Sequence, residues 1–156
     1  MLYEVFMNLK EKINEDMKTA MKSGDKLKLE TVRSIRALIL EFEKSGANKE
    51  LNPEEEIKLL SSAAKKRKES IEQYQNAGRT DLVEKEEAEL KILMEYLPKQ
   101  LSEEEIQKEI GRIASEIGAK TKEDFPKLMP AVIKELKGKA DGKVVKQEVE
   151  KYLGKD

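Results

Sequence analysis

Residues 52–98, NPEEEIKLLSSAAKKRKESIEQYQNAGRTDLVEKEEAELKILMEYLP, decide the fold. Asn52 suits a helix N-cap, Pro53 the first helical position, and Glu54, Glu55 and Glu56 face the positive end of the helix dipole. From there Ile57, Leu60, Ala64, Arg67, Ile71 and Tyr74 follow the alternating three- and four-residue step of a coiled-coil seam. The helix runs to about Ala77, with Gly78 as its C-terminal cap. Thr80 is the expected cap of a returning helix that Pro98 ends. That helix answers with Val83, Glu86, Leu90, Leu93 and Leu97, so the pair forms a long antiparallel hairpin about Gly78-Arg79. Each seam holds one charged residue. With the turn centred there, Arg67 lies opposite Leu90, one turn from Glu86, an offset of roughly 6 Å that a guanidinium spans. An Arg67–Glu86 pair fixing the register is the expectation; the competing reading sends both side chains outward to water.

Helical periodicity continues on either side of the hairpin, and no stretch alternates with period two. Leu9, Ile13, Met17, Ala20 and Met21 mark a first helix that ends near Gly24, and Leu29, Val32, Ile35, Ile39 and Phe42 a second that follows Asp25. Beyond Pro98, Ser102 and Glu105 form a capping box for a helix to about Ile117, with Gly118 beyond it. Thr121 and Asp124 repeat the cap logic. Pro126 and Pro130 then argue for a kink or two short helices rather than one rod. Gly138 closes that element, and Asp141 caps a last helix striped by Val144, Val145, Val149 and Leu153. The expected fold class is all-α: an N-terminal helical hairpin domain over residues 1–98 and a small three-helix C-terminal domain over residues 99–156.

Composition narrows the chemistry. The chain has 156 residues, 40% of them charged, with a net charge of −1 and no Cys, His or Trp. It offers no disulfide, thiol nucleophile, imidazole base or ordinary zinc site, and no catalytic residue, metal or cofactor is assigned. The balance of charge removes the self-repulsion that keeps acidic or basic chains open. Met1-Leu2-Tyr3-Glu4-Val5-Phe6-Met7 is too short and too acidic for a signal-peptide core, and no stretch reaches the ~18 apolar residues of a membrane span. A cytoplasmic location and no membrane association are expected.

Glu54-Glu55-Glu56 and Glu103-Glu104-Glu105 lie in helix first turns, where they serve the dipole and diverge rather than converge on a metal. Lys65-Lys66-Arg67-Lys68 fans around a helix as a basic belt able to meet phosphates without reading bases, or simply to stay solvated. Gly138-Lys139-Ala140-Asp141-Gly142-Lys143 fails the Walker pattern, because its glycines are too close and Val144 stands where Ser or Thr must hold magnesium. It does combine a helix N-terminus, Gly142 for close approach, and Lys139 and Lys143, a seat for one backbone phosphate; the plain alternative is a connector. Residues 120–151 carry three more basic than acidic residues. The sparse aromatics show no interleaving with basic residues of the kind that makes a stacking platform.

The segments Ile13–Lys22, Arg67–Tyr74, Ala77–Leu82, Glu95–Ser102 and Gly138–Lys143, in that order, resemble the YqeY family from about Leu9 to Leu153. That resemblance implies an all-helical protein similar to the C-terminal tail of the B subunit of tRNA-dependent amidotransferases, a tail that holds the tRNA body while the chemistry lies elsewhere. Family tails often have small residues where this chain has Pro126 and Pro130. On this reading the chain is a stand-alone, non-catalytic tRNA-binding protein or an accessory to a tRNA-modifying or aminoacylating enzyme. Lys137, Lys139, Gly142 and Lys143 would meet phosphates, with Lys65, Lys66, Lys68 and Arg79 secondary. A helical protein-interaction adaptor is the alternative of a different class. Carbon–nitrogen ligation with glutamine as amide donor is a third, carried by family label alone.

Overall fold

The computed structural model describes residues 7–46 and 50–154. Among them lie seven α-helices, one 3-10 turn and no strand, an all-α protein. The helices are α1 (Leu9–Ser23), α2 (Lys26–Lys44), α3 (Pro53–Asn76), α4 (Thr80–Met94), α5 (Glu103–Ile117), α6 (Phe125–Leu136) and α7 (Gly142–Leu153), with the 3-10 turn at Lys122–Asp124. The chain divides into two compact units, Met1–Leu97 and Pro98–Asp156. Among the described residues no helix is long and apolar enough to cross a membrane.

In the first unit, Asn8 opens α1 with a capping box: its Oδ1 accepts from Glu11 N at 2.8 Å while the Glu11 carboxylate accepts from Asn8 N. Gly24 ends the helix at φ 72°, and the Asp25 carboxylate at once caps α2 by accepting from Lys28 N. Leu9, Ile13, Val32, Ile35, Ile39, Leu60, Ala64 and Leu93 make the core, drawn from all four helices. Met21, assigned to the inner stripe by spacing, is 56% exposed. Ala20 takes the inward position, and the 100° step between neighbours turns Met21 to solvent.

The hairpin of α3 and α4 turns where expected, but Thr80 is not its cap. Arg79 N donates to Tyr74 O at 2.9 Å around Gly78, whose φ is +68°. That closure holds the chain as far as residue 79, so Arg79 takes the N-cap position without a side-chain bond that caps the helix, and Thr80 is already helical. At the far end α4 stops at Met94, short of Pro98. Tighter turns carry the backbone on, with Tyr96 N donating to Leu93 O and Leu97 N to Met94 O.

Inside the hairpin, Arg67 Nη1 donates to Glu86 Oε2 at 3.1 Å. The same nitrogen also bonds Glu89, a buried residue that the seam spacing places outside the interface, and Nη2 donates to Ser34 Oγ of α2 at 3.1 Å. A third helix therefore shares this contact. At the end of the same unit, the Tyr96 hydroxyl donates to the Asp16 carboxylate of α1. Lys12 Nζ and Lys28 Nζ stand 5.5 and 5.6 Å from the Tyr96 ring centroid, both within cation–π range.

The second unit has its own core, in which Ile106, Ile110 and Ile113 of α5 meet Leu128 and Val132 of α6 and Val145, Val149 and Leu153 of α7. Ser102 and Glu105 form the expected capping box, and Gly118 ends α5 at φ 71°. The prolines do not split the next segment. A 3-10 turn precedes one continuous α6, in which Pro126 sits in the first turn and Pro130 lies inside the helix. Pro126 replaces an N–H that a first turn leaves unbonded anyway, so Pro130 removes only the single bond its own N–H would have made. Val144 is 37% exposed while Val145 is 1% exposed, so the stripe on α7 begins one residue later than the pattern implies.

Candidate nucleic-acid interface

The segment from Lys137 to Lys143 comprises the loop between α6 and α7 and the first two residues of α7, and the loop is held from outside itself. Lys139 N donates back to Leu136 O at 2.9 Å, and Gly138 takes φ +78°, a conformation that favours glycine. Two residues at the start of the unit then pin it. Leu101 N donates to Lys139 O at 2.8 Å, and Gln100 Nε2 donates to Gly138 O at 2.7 Å as well as to Pro98 O at 2.9 Å. Leu101 also packs against the core of the unit. The loop backbone is thereby fixed in one shape while Lys137, Lys139 and Lys143 stay exposed.

At the N-terminus of α7, Asp141 Oδ1 accepts from Lys143 N at 2.8 Å. A carboxylate already occupies part of the ground on which a phosphate was expected to sit. Gly142 still leaves open space, since nothing lies within 4 Å of where a Cβ would stand. The ammonium groups of Lys139 and Lys143, rather than the helix N–H groups, are therefore the part of this segment suited to an anion.

The basic run on α3 does not form a uniform belt. Lys65 and Lys66 are exposed and Lys68 is half-buried, whereas Arg67 turns inward to Glu86 and Glu89. Arg79 is exposed, but its guanidinium bonds Asp81 through Nε and Nη2 at 3.2 Å each. That pairing raises the affinity of Arg79 for its proton and holds the Asp81 carboxyl below its usual range. Lys65, Lys66, Lys68 and Arg79 lie in the first unit; Lys137, Lys139, Gly142 and Lys143 lie in the second.

Among the described residues, no group of three or more Asp or Glu side chains is placed to hold a metal ion. Gln100 and Leu101, which shape the loop, were not singled out by spacing, because their partners lie 38 residues away in sequence.

Among the described residues, seven helices in two compact units define a small all-helical protein whose second unit carries a pinned loop with exposed lysines. The chain belongs to the YqeY family: residues 10–153 match the family described as Yqey-like protein. It is similar to the protein named "Altered inheritance of mitochondria protein 41, mitochondrial" from three fungi. That of Pyrenophora tritici-repentis is 32% identical over 148 residues, covering 92% of this chain and 80% of the relative. That of Kluyveromyces lactis is 31% identical over 140 residues, covering 88% and 71%. That of Lachancea thermotolerans is 33% identical over 107 residues, covering 67% and 57%.

These relatives are named as mitochondrial proteins, which points away from the cytoplasmic location expected from the sequence. That expectation rested on a search for an apolar signal core. Mitochondrial transit segments are amphipathic and basic instead, so such a search does not register them.

Proposed function

We propose that this chain is a non-catalytic RNA-binding protein, acting on tRNA or alongside an enzyme that modifies or aminoacylates tRNA. The supporting observation is the loop at Gly138–Lys143, whose backbone is pinned by Gln100 and Leu101 while Lys139 and Lys143 project to solvent. Two ammonium groups carried on a held backbone beside an open glycine match a sugar–phosphate backbone, which asks for positive charge and close approach rather than base recognition. Lys137 extends the cationic edge. Lys65, Lys66 and Lys68 on α3 and Arg79 at the hairpin turn are secondary contacts, and the Arg79–Asp81 pair lowers the value of Arg79 as a phosphate ligand.

The test is tRNA binding at two salt concentrations by the native chain and by Lys139→Glu/Lys143→Glu. Each phosphate contact releases about one counterion, so the native protein should bind weakly at low salt and lose affinity steeply as salt rises, with a shallower slope in the variant. Equal affinity of the two proteins removes the loop assignment. No binding by the native chain at low salt removes the RNA reading and leaves the adaptor reading, for which a salt-insensitive complex is the signature.

A further inference from the structure

The second unit carries a further feature outside the loop. An open groove of about 430 Å³ is lined by Lys122 of the 3-10 turn, Phe125 of α6, and Lys146, Glu150 and Leu153 of α7. We propose that this groove receives one unpaired nucleotide of a bound RNA, its base against Phe125 and its phosphate between Lys122 and Lys146. The inference rests on the RNA-binding reading above and extends it to a second site.

Size is the first argument, because the volume falls in the range of roughly 300–1,000 Å³ that takes one small molecule. Shape of the lining is the second. Phe125 is half-buried against the core of the unit, so its ring is held in place, and Leu153 supplies an apolar neighbour. Bases stack on such a ring whatever their identity, because every base has a π face. Lys122 reaches to the end of α7, its Cε 3.7 Å from where a Cβ on Gly154 would stand.

Charge supplies the third argument and selects among occupants. Two ammonium groups and one carboxylate leave a net of one positive charge, which a single phosphodiester matches. An acidic peptide would set its carboxylates against Glu150. A base carrying an exocyclic amine instead offers Glu150 a donor. Phe125 and Lys146 are 21 positions apart in sequence, and the packing of α7 beside α6 and the 3-10 turn brings them to one groove.

The experiment uses the full chain and a short single-stranded RNA carrying 2-aminopurine, compared with the same RNA in a duplex and with tRNA. Binding by the native protein should change the 2-aminopurine fluorescence, and the single strand should bind more tightly than the duplex. Phe125→Leu, which keeps the apolar contact, should weaken single-strand binding about tenfold, the order contributed by one base–aromatic stack. Its slope of affinity against salt should not change. Lys122→Gln and Lys146→Gln should each lower that slope by about 0.7, the share of one phosphate on a single strand. If Phe125→Leu proves misfolded by circular dichroism, the two lysine slopes decide. Unchanged affinity and fluorescence in Phe125→Leu, unchanged slopes in both lysine variants, or preference for an acidic peptide overturns the groove assignment. Should the native chain bind tRNA through Lys139 and Lys143 while Phe125→Leu is neutral, only the groove falls; should it bind no RNA, both readings fall.

Discussion

Arg67 of α3 binds Glu89 of α4, a residue only 7% exposed, and with the same nitrogen reaches Glu86 one turn away at 3.1 Å. Its second amino group ends on Ser34 of α2, whose hydroxyl in turn donates to Thr31 O at 2.6 Å. Lys85 stands at the outer edge, 4.0 Å from Glu89 and 3.8 Å from Glu30 of α2. Three helices thus meet at one guanidinium.

Removing Arg67 takes from the buried Glu89 its nearer cation and leaves the exposed Lys85 at 4.0 Å. Arg67→Ala should cost about 3 kcal/mol or more in chemical denaturation, the order seen when one partner of a buried ion pair is deleted. Double-mutant cycles should show stronger coupling of Arg67 to Glu89 than to Glu86, because Glu86 is the more exposed of the two and keeps more of its hydration. A stronger coupling to Glu86 would make that pair the dominant contact.

Tyr96 ties the end of α4 to α1 through Asp16. Tyr96→Phe keeps the ring and its two lysines and deletes only the hydroxyl, so it should destabilise the first unit by about 1 kcal/mol, read as a lower denaturation midpoint. Burial, then the bond to Asp16, raises the phenol above its ordinary value. A group raised by folding stabilises below its unfolded value and loses that contribution as pH climbs through the folded one. The native protein should therefore lose stability faster than Tyr96→Phe above about pH 10.

Glu148 on α7 is 4% exposed and accepts from Gln107 Nε2 of α5 at 2.8 Å and from Lys151 Nζ at 3.2 Å. The bond from Gln107, with Lys151 behind it, holds the carboxyl below its usual range. A depressed carboxyl stabilises above its unfolded value and loses that contribution as pH falls through the folded one. Acid unfolding of the second unit should begin near pH 4.5 and steepen below it, and Glu148→Gln should flatten that limb. Thermal melts of both proteins between pH 3 and pH 6 provide the check.

Gln100→Ala deletes the bonds to Gly138 O and Pro98 O and leaves every lysine in place. Stability should fall by about 1–2 kcal/mol, as for two hydrogen bonds lost. If the loop binds tRNA as proposed, affinity should drop several-fold with no change in salt slope, because the phosphate contacts remain and only their fixed geometry is lost. A changed slope would mean that Gln100 itself meets the RNA.

Spacing alone located the hairpin, its turn at Gly78 and the approach of Arg67 to Glu86, because these depend on local periodicity and one reversal. It missed Glu89 because a two-helix reading has only one buried face, whereas α4 packs against α2 as well as α3 and buries a second. Pro130 misled for a related reason. Its cost to a helix is one bond and the crowding of the carbonyl four residues back, and Leu128, Val132 and Leu136, buried on the same face of α6, hold the helix together across it. The lysines of the loop stood out as residues. Their support by Gln100 and Leu101, and the meeting of Lys122, Phe125 and Lys146, depend on helices packing side by side and left no mark in the linear spacing.

The bonds from Gln100 and Leu101 to the loop bear on where this chain can be cut. A fragment beginning at Glu103 would contain α5, α6 and α7 whole and would pass as a complete three-helix piece. It would lack the two residues that shape the loop at Gly138 and Lys139, far from the cut in sequence. The smallest fragment that keeps that shape therefore starts at Pro98 or earlier, ahead of its first helix.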